Sequence, residues 1–257
     1  MLISAVVITY NEESNIERCL RSLSFADEII VLDSFSTDRT VEIALRFTDK
    51  VSQRKFTGFS EQKNAAMDMA GSEWVMIVDA DEVVTPELAQ EIRRVVVESP
   101  HNAYRVPRRT CFLGKLIRNC GWYPDYTIRL ARKSKARFAD RLVHEVLEVD
   151  GTSGTLQNCM IHFSYRNMDD AARKMITYAR AAARQKMLDG QKAHITDIAL
   201  TPGLTFLKKL ILQQGFRDGI YGLIISGMSA CGVFFRYVML WEMTRSKTGS
   251  KEQHNDE

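Results

Sequence analysis

Three short runs of apolar, mostly β-branched residues limit what this chain can fold into: SAVVIT at 4–9, EIIVLD at 28–33 and WVMIV at 74–78. None alternates apolar with polar, so each, as a strand, needs cover on both faces. That is the pattern of strands inside an α/β sheet. Helical patterns separate them. Ile16, Leu20 and Leu23 form one stripe, with Ser14 and Glu17 at capping-box spacing. Residues 37–47, with Ser36 as cap, and 60–70 read as two more helices, and 50–56 as a short third strand. Thr85-Pro86-Glu87 is a strong helix start, with Pro in the first turn and an acid beside it. Right-handed crossovers of this kind build a doubly wound, mostly parallel sheet, whose ligands bind outside the carboxyl ends of its strands. Thr9-Tyr10-Asn11, Asp33 and Asp79-Ala80-Asp81 all fall at those ends.

From about residue 103 the pattern changes. Residues 103–108, 126–132, 143–149 and 158–165 read as strands of a mixed sheet that completes the fold. Met168–Leu188 reads as a long basic helix. Residues 202–241 are apolar apart from Lys208, Lys209, Arg217, Asp218 and Arg236, and 222–241 hold a single charge over about the length that crosses a bilayer. Between 165 and 245 there are twelve Lys/Arg and six Asp/Glu, a net +6. Basic helices beside apolar ones suit an anchor lying on an anionic membrane surface; the alternatives are a helix pair packed within the chain, a homo-oligomer interface, or a true span. The expected organisation is an α/β domain over 1–165, a basic and apolar helical appendage over 166–245, and a polar, disordered tail over 246–257.

Composition excludes several classes. The 257 residues are 45% hydrophobic and 26% charged, which is globular rather than disordered, and a net charge of +3 gives no ground for a nucleic-acid partner. Between Arg105 and Arg141, however, eleven Lys/Arg meet two acids. Such a block fits a pyrophosphate, a phosphorylated acceptor, an anionic membrane or a plain solvated face. Five cysteines without a close pair argue against a zinc site or a disulfide framework and suit a reducing cytoplasm. The N-terminus lacks the basic start, long apolar run and cleavage site of a signal peptide.

Asp79-Ala80-Asp81 carries the sharpest chemistry. Two carboxylates at i, i+2 on a strand end can reach one Mg²⁺ or Mn²⁺, which shares its oxygen ligands with substrate phosphates. Asp33 is placed to accept from a base or ribose, or else to order a turn. Lys63 and Asn64 offer a phosphate partner and a polar orienter. Neither a G-x-G-x-x-G nor a P-loop motif is present, which weakens oxidoreductase and NTPase readings.

AVVITYNEE, VLDSFSTDRT and QKNAAMDMAGSEWVMIVDADE, in that order, resemble the family 2 glycosyltransferases of GT-A fold. GWYPDYTIRLARK and RFADRLVHE are similar, more narrowly, to bacterial lipopolysaccharide core glucosyltransferases. The resemblance implies an inverting transfer from a UDP-sugar, with glucose as the expected sugar. The implied acceptor is lipid A-core or another lipid-linked saccharide at the cytoplasmic face of the bacterial inner membrane. It implies that Thr9, Tyr10, Asn11 and Glu12 shape the donor pocket, that Asp33 meets the uracil, and that Asp79 and Asp81 hold metal and diphosphate. Asp33-Ser34 departs from the two adjacent acids of many relatives, which bears on the nucleobase.

Inversion needs a general base for the acceptor hydroxyl. Glu145 and Asp125 are the candidates, Glu145 lying after TIRLARK where the family usually places its base. His144 is a candidate third metal ligand, and Trp122 and Tyr123 could stack on a sugar. A sugar nucleotidyltransferase would carry a Gly- and Arg-rich loop after the first strand, where Thr9-Tyr10-Asn11-Glu12-Glu13 stands instead. A non-catalytic, membrane-attached binding module remains the third reading, against which the set of carboxylates speaks.

Overall fold

The computed structural model of the protein describes residues 2–139 and 146–252, with side chains to 245. The chain divides into two compact units, one of Met1–Thr110 with Pro124–Ser164, the other of Cys111–Tyr123 with Tyr165–Glu257. Segment 111–123 thus belongs with the C-terminal helices rather than with the strands that flank it.

In chain order the elements of the first unit begin with β1 (Ile3–Thr9), α1 (Ile16–Ser22), β2 (Glu28–Asp33), α2 (Thr40–Ala44) and β3 (Val51–Gln53). Then come α3 (Phe59–Asp68), β4 (Trp74–Asp79), β5 (Glu82–Val84), α4 (Pro86–Glu98) and β6 (Ala103–Phe112). Beyond β7 (Lys115–Leu116), which lies in the second unit, follow β8 (Asp125–Arg132), β9 (Ala136–Ala139), β10 (Val146–Val149), β11 (Ser153–Thr155) and β12 (Met160–Tyr165). The main sheet runs β3-β2-β1-β4-β8-β6-β12-β5. Its first four strands are parallel, and β8 then joins β4 antiparallel, as does β6 with β8.

All seven residues of β1 are buried, and their period of two divides them between two cores. Ala5 and Val7 pack with Val31, Met76 and Val78 against Leu20 of α1 and Leu88 and Ile92 of α4. Val6 and Ile8 pack with Ile30, Leu32, Val75 and Ile77 against Ala66 and Met67 of α3. Each fully buried aliphatic side chain here contributes roughly 1.5–3 kcal/mol, which explains why polar residues stand only at the ends of the runs. Glu28, at the start of β2, is buried and charged. Its carboxylate accepts from Gly71 N at 2.8 Å, from the Ser4 hydroxyl and from the Lys50 ammonium. Burial pushes this carboxyl up, but Lys50, Ser4 and Gly71 together outweigh burial and hold it below the usual range.

Register does the work of bringing the motifs together. Thr9 lies beside Asp33 and Ile8 beside Asp79, so the three parallel strands end level. Helix α4 begins as expected, with Thr85 Oγ1 accepting from Leu88 N at 3.2 Å. Two helix starts differ from expectation. Helix α1 starts after Asn15, not at a Ser14 capping box, and Asn15 donates its amide to Glu12 instead of capping. Helix α2 covers only Thr40–Ala44, because the Ser36 hydroxyl donates to Asp33 and residues 36–39 form a turn rather than a helical start.

In the second unit, β7 pairs with Cys111 and Phe112. Helix α5 (Met168–Leu188) is capped by Asn167, whose side chain accepts from Asp170 N at 2.9 Å. Short helices α6 (Ile195–Ala199) and α7 (Thr201–Leu207) lead to α8 (Ile220–Glu252), which continues into the segment read as a polar tail. The buried Asp218 carboxylate accepts from Asn119 N at 2.8 Å and Arg118 N at 3.3 Å, tying 111–123 to the start of α8. Gly222 permits the closest approach, since a Cβ there would stand 1.8 Å from the Gly215 carbonyl oxygen. Within Ile220–Arg245 of α8 an 18-residue stretch has a mean hydropathy of 1.7, and among the described residues this is the one helix long and apolar enough to cross a membrane.

Candidate active site

The loops after β1 and β2 are laced together by short polar side chains. Asn11 adopts a left-handed backbone (φ 53°), which Asn tolerates better than most residues. In that conformation Asn11 N donates to Ser36 Oγ at 2.8 Å, and its own Oδ1 accepts from Thr37 N at 2.8 Å. Glu12 N donates to Thr40 Oγ1 at 2.8 Å. Asp33, wholly buried, accepts from Ser36 N and Gln53 Nε2, both at 2.9 Å, and from the Ser36 hydroxyl. Its turn-ordering role is therefore occupied. The Thr9 hydroxyl is buried without a hydrogen-bond partner, and Tyr10 is 58% exposed at the rim. A polar atom and an aromatic face are thus offered at the carboxyl end of β1.

At the end of β4 the chain turns through buried Ala80, and its two carboxylates part company. Asp79 Oδ1 lies 3.1 Å from Lys63 Nζ on α3, and its Oδ2 is paired with Arg129 on β8. The antiparallel register explains the second contact: Met76 faces Leu130, which carries Arg129 alongside the end of β4. Glu82, with 0% exposure, closes the turn by accepting from Asp79 N at 3.0 Å. It also accepts from Arg129 at 2.5 Å and Arg108 at 3.3 Å, and Arg108 reaches Asp125 at 2.5 Å. Lys63, Asp79, Arg129, Glu82, Arg108 and Asp125 therefore alternate in sign along one chain of contacts.

Burial would raise the Asp79 carboxyl, but the Arg129 and Lys63 charges outweigh it and hold the carboxyl well below the usual range. Burial would lower the Arg129 guanidinium, and Asp79 and Glu82 more than reverse that. Arg129 is 3% exposed, and its Nε has no hydrogen-bond partner. This cation lines a cleft of about 360 Å³ together with Lys63, Asp79, Arg108 and Phe138. A larger hollow of about 760 Å³ lies between Leu20 and Lys50 at the amino ends of the strands, away from these groups.

Asp81 turns the other way. β12 pairs antiparallel with β5, with His162 opposite Glu82, and this puts His162 Nε2 3.2 Å from Asp81 Oδ2. The backbone confirms the docking, since Phe163 N donates to Asp81 O at 2.8 Å. No cluster of three or more His, Cys, Asp or Glu able to hold a metal occurs among the described residues. The carboxylate and imidazole are nonetheless a donor pair that suits Mn²⁺.

Sequence reasoning missed His162 and Glu82, and took in Arg129 and Arg108 only as members of the basic block between 105 and 141. The signal for His162 was its place in an alternating strand; what hid it was a separation of about eighty residues from the turn it meets. Asn64 has a different task from the one expected, because its amide accepts from Phe138 N and donates to Phe138 O, both at 2.9 Å, and so holds β9 to α3. Asp125 lies at the start of β8 in the grip of Arg108. Glu145 and His144 lie outside the described residues. Part of the basic block is paired inside this unit: Arg132 with Glu73, Lys135 with Asp150 and Arg137 with Asp68.

The family model for glycosyl transferase family 2 matches residues 4–142, more than half of the chain, and takes in β2, β3, β4 and β1 from Ser4. The chain belongs to that family. Its α/β fold is of the GT-A type, with the D-x-D turn at the end of β4. This glycosyltransferase is 26% identical to the lipopolysaccharide core biosynthesis glycosyltransferase LpsC of Rhizobium meliloti, over 93% of this chain and 92% of that one. It is 30% identical to an uncharacterized glycosyltransferase of Rickettsia typhi, over 94% and 87%. Among solved structures it is similar to residues 1–349 of TarS from S. aureus, at 16% identity and a TM-score of 0.49, over 96% and 92% of the two chains.

Proposed function

We propose that the protein is an inverting, metal-dependent hexosyltransferase that moves one sugar, glucose by preference, from a UDP-sugar to a lipopolysaccharide core saccharide. The observation that carries this reading is the level ending of β1, β2 and β4, which gathers Thr9, Asp33 and the D-x-D turn beside a buried, cation-lined cleft. The relative named for lipopolysaccharide core biosynthesis, aligned over nearly the full length of both chains, supports the acceptor class.

Tyr10 presents its ring at the rim for the nucleobase, while the orphaned Thr9 hydroxyl offers a hydrogen bond to the ribose side of the donor. Lys63 and Arg129 stand ready for the diphosphate, with Asp79 as their counter-ion before it arrives. Asp81 and His162 would hold Mn²⁺ or Mg²⁺, the imidazole favouring Mn²⁺, and diphosphate oxygens and water would complete the ligand set. A metal bound there supplies charge neutralisation of the leaving diphosphate. Glu145 takes the proton of the acceptor hydroxyl as its oxygen forms the new bond to the anomeric carbon. The bond from that carbon to the diphosphate oxygen breaks with inversion, and UDP departs. Asp125 is the second candidate, since its carboxylate is already engaged by Arg108.

The exposed apolar residues of α7 and α8, among them Leu204, Leu207, Phe234, Phe235 and Trp241, support attachment to the cytoplasmic face of the inner membrane as a peripheral protein. Calorimetric titration with UDP, UDP-glucose and GDP-mannose, with and without Mn²⁺, tests the donor side. Uridine-selective binding that needs the metal is expected. Absence of nucleotide binding under every condition would reject the reading.

A further inference from the structure

The second unit contains a hollow that the transferase chemistry does not use. It is a slot of about 320 Å³ between α5 and α8, at the lower end of the size range of small-molecule sites, ~300–1,000 Å³. One wall is the α5 stripe Ala171, Met175, Ala179 and Ala182, and the other is the α8 stripe Ile225, Ser229, Gly232 and Arg236. Both stripes keep helical spacing, so the slot follows the two axes. From Ala171 to Ala182 it extends about 16 Å at the usual helical rise. Small residues keep it open: three of its α5 positions are alanine, and a Cβ on Gly232 would stand only 3.2 Å from Met175.

Its two ends differ. At the Ala171 and Ile225 end the slot is stopped by Phe112, Trp122 and Tyr165, with Trp122 and Tyr165 stacked at 5.6 Å. At the other end stands Arg236, whose Nε is buried without a hydrogen-bond partner and whose guanidinium lies over the Tyr237 ring at 4.8 Å. Lys186 adds a second cation over the same ring at 5.7 Å. A narrow apolar channel, closed by aromatic rings and opening at a cation whose Nε lacks a hydrogen-bond partner, has the shape and charge of a site for a single extended hydrocarbon chain with an anionic head.

We propose that this slot binds one acyl chain of a membrane lipid, with the lipid's phosphate at Arg236. The Ser229 hydroxyl is already turned back to the Ile225 carbonyl at 2.7 Å, so the wall beside the chain presents carbon rather than free polar groups. The site is distinct from the donor cleft in residues and in chemistry, and its occupancy requires neither metal nor nucleotide.

Equilibrium dialysis of the full chain against myristoyl lysophosphatidate below its micellar concentration, without donor or metal, tests the proposal. Saturable binding of one lipid per chain is expected, and uncharged monomyristoylglycerol should bind roughly tenfold more weakly or worse. Arg236→Gln should erase that preference while leaving the glyceride unaffected. Ala182→Phe, a filling substitution at a half-buried wall position, should abolish binding of both lipids. Far-UV circular dichroism and an unchanged thermal melt establish that each variant is folded. Binding that fails to saturate, or that both variants leave intact, overturns the proposal. So does a dimer that Ala182→Phe dissociates, since a second copy would then be what fills the slot. Because the probe is monomeric and the donor absent, a negative result leaves the transferase reading untouched.

Discussion

Replacing Glu82 by Gln tests whether the alternating chain of charges organises the turn after β4. The carboxylate is fully buried and accepts from Asp79 N, Arg129 and Arg108. Breaking a buried ion pair by removing one partner costs about 3–5 kcal/mol. Here the loss falls at the lower end, because Arg129 keeps Asp79, Arg108 keeps Asp125, and the amide oxygen can still accept. A loss of about 3 kcal/mol corresponds to a drop in Tm of roughly 6–12 °C for a chain of this size. Differential scanning fluorimetry reads it directly. Because these groups are shielded from solvent, the drop should persist at high salt, where surface pairs are screened. Glu17→Gln is the control: it removes an equally close pair with Arg21, but both side chains are more than half exposed, and Tm should not move. A Glu82→Gln protein melting within about 2 °C of the parent would refute the reasoning.

Asp81→Asn should abolish metal-dependent donor binding without lowering Tm, and His162→Ala should weaken Mn²⁺ binding about tenfold or more; calorimetry checks both. Glu145→Gln should lower turnover with donor affinity unchanged, whereas Asp125→Asn should be the milder variant in a steady-state transfer assay. Glu28 has its carboxyl held below the ordinary value of about 4.3, so its contribution is complete above that value and is lost as pH falls through the lower, folded value. Urea unfolding between about pH 6 and pH 2 should therefore show the parent losing its advantage over Glu28→Gln as the solution is acidified.

The fold was legible because its strongest signals are local. β1, β2 and β4 announced themselves as unbroken apolar runs, and α5 and the Thr85 start of α4 as periodicity with a cap. Of the two misplaced helix starts, that of α2 has its cause in Asp33. Ser36 has a closer partner in Asp33 than in any helix N–H, and no local pattern reveals that Asp33 is the buried neighbour. The gathering of Thr9, Asp33 and Asp79 was legible because strand ends are legible. Arg129, Arg108 and His162 were not, because their partners come from strands that pair antiparallel across long separations. Arg129 in particular was not set apart from a basic block that fits a pyrophosphate as well as a solvated face, while its guanidinium is one of the most deeply placed charges in the unit.

Asn64 and Ser60 make α3 the element on which β9 is mounted. Asn64 holds both backbone polar groups of Phe138, Ser60 donates to the Ala139 carbonyl at 2.9 Å, and Ala139 pairs with Val146 across the β9–β10 ladder. Lys63, one residue before Asn64 on the same helix, meets Asp79. A single turn of helix therefore carries both the small ladder and the cation beside the strand ends. A drift of α3 would move the two together, so neither can be re-aimed without the other.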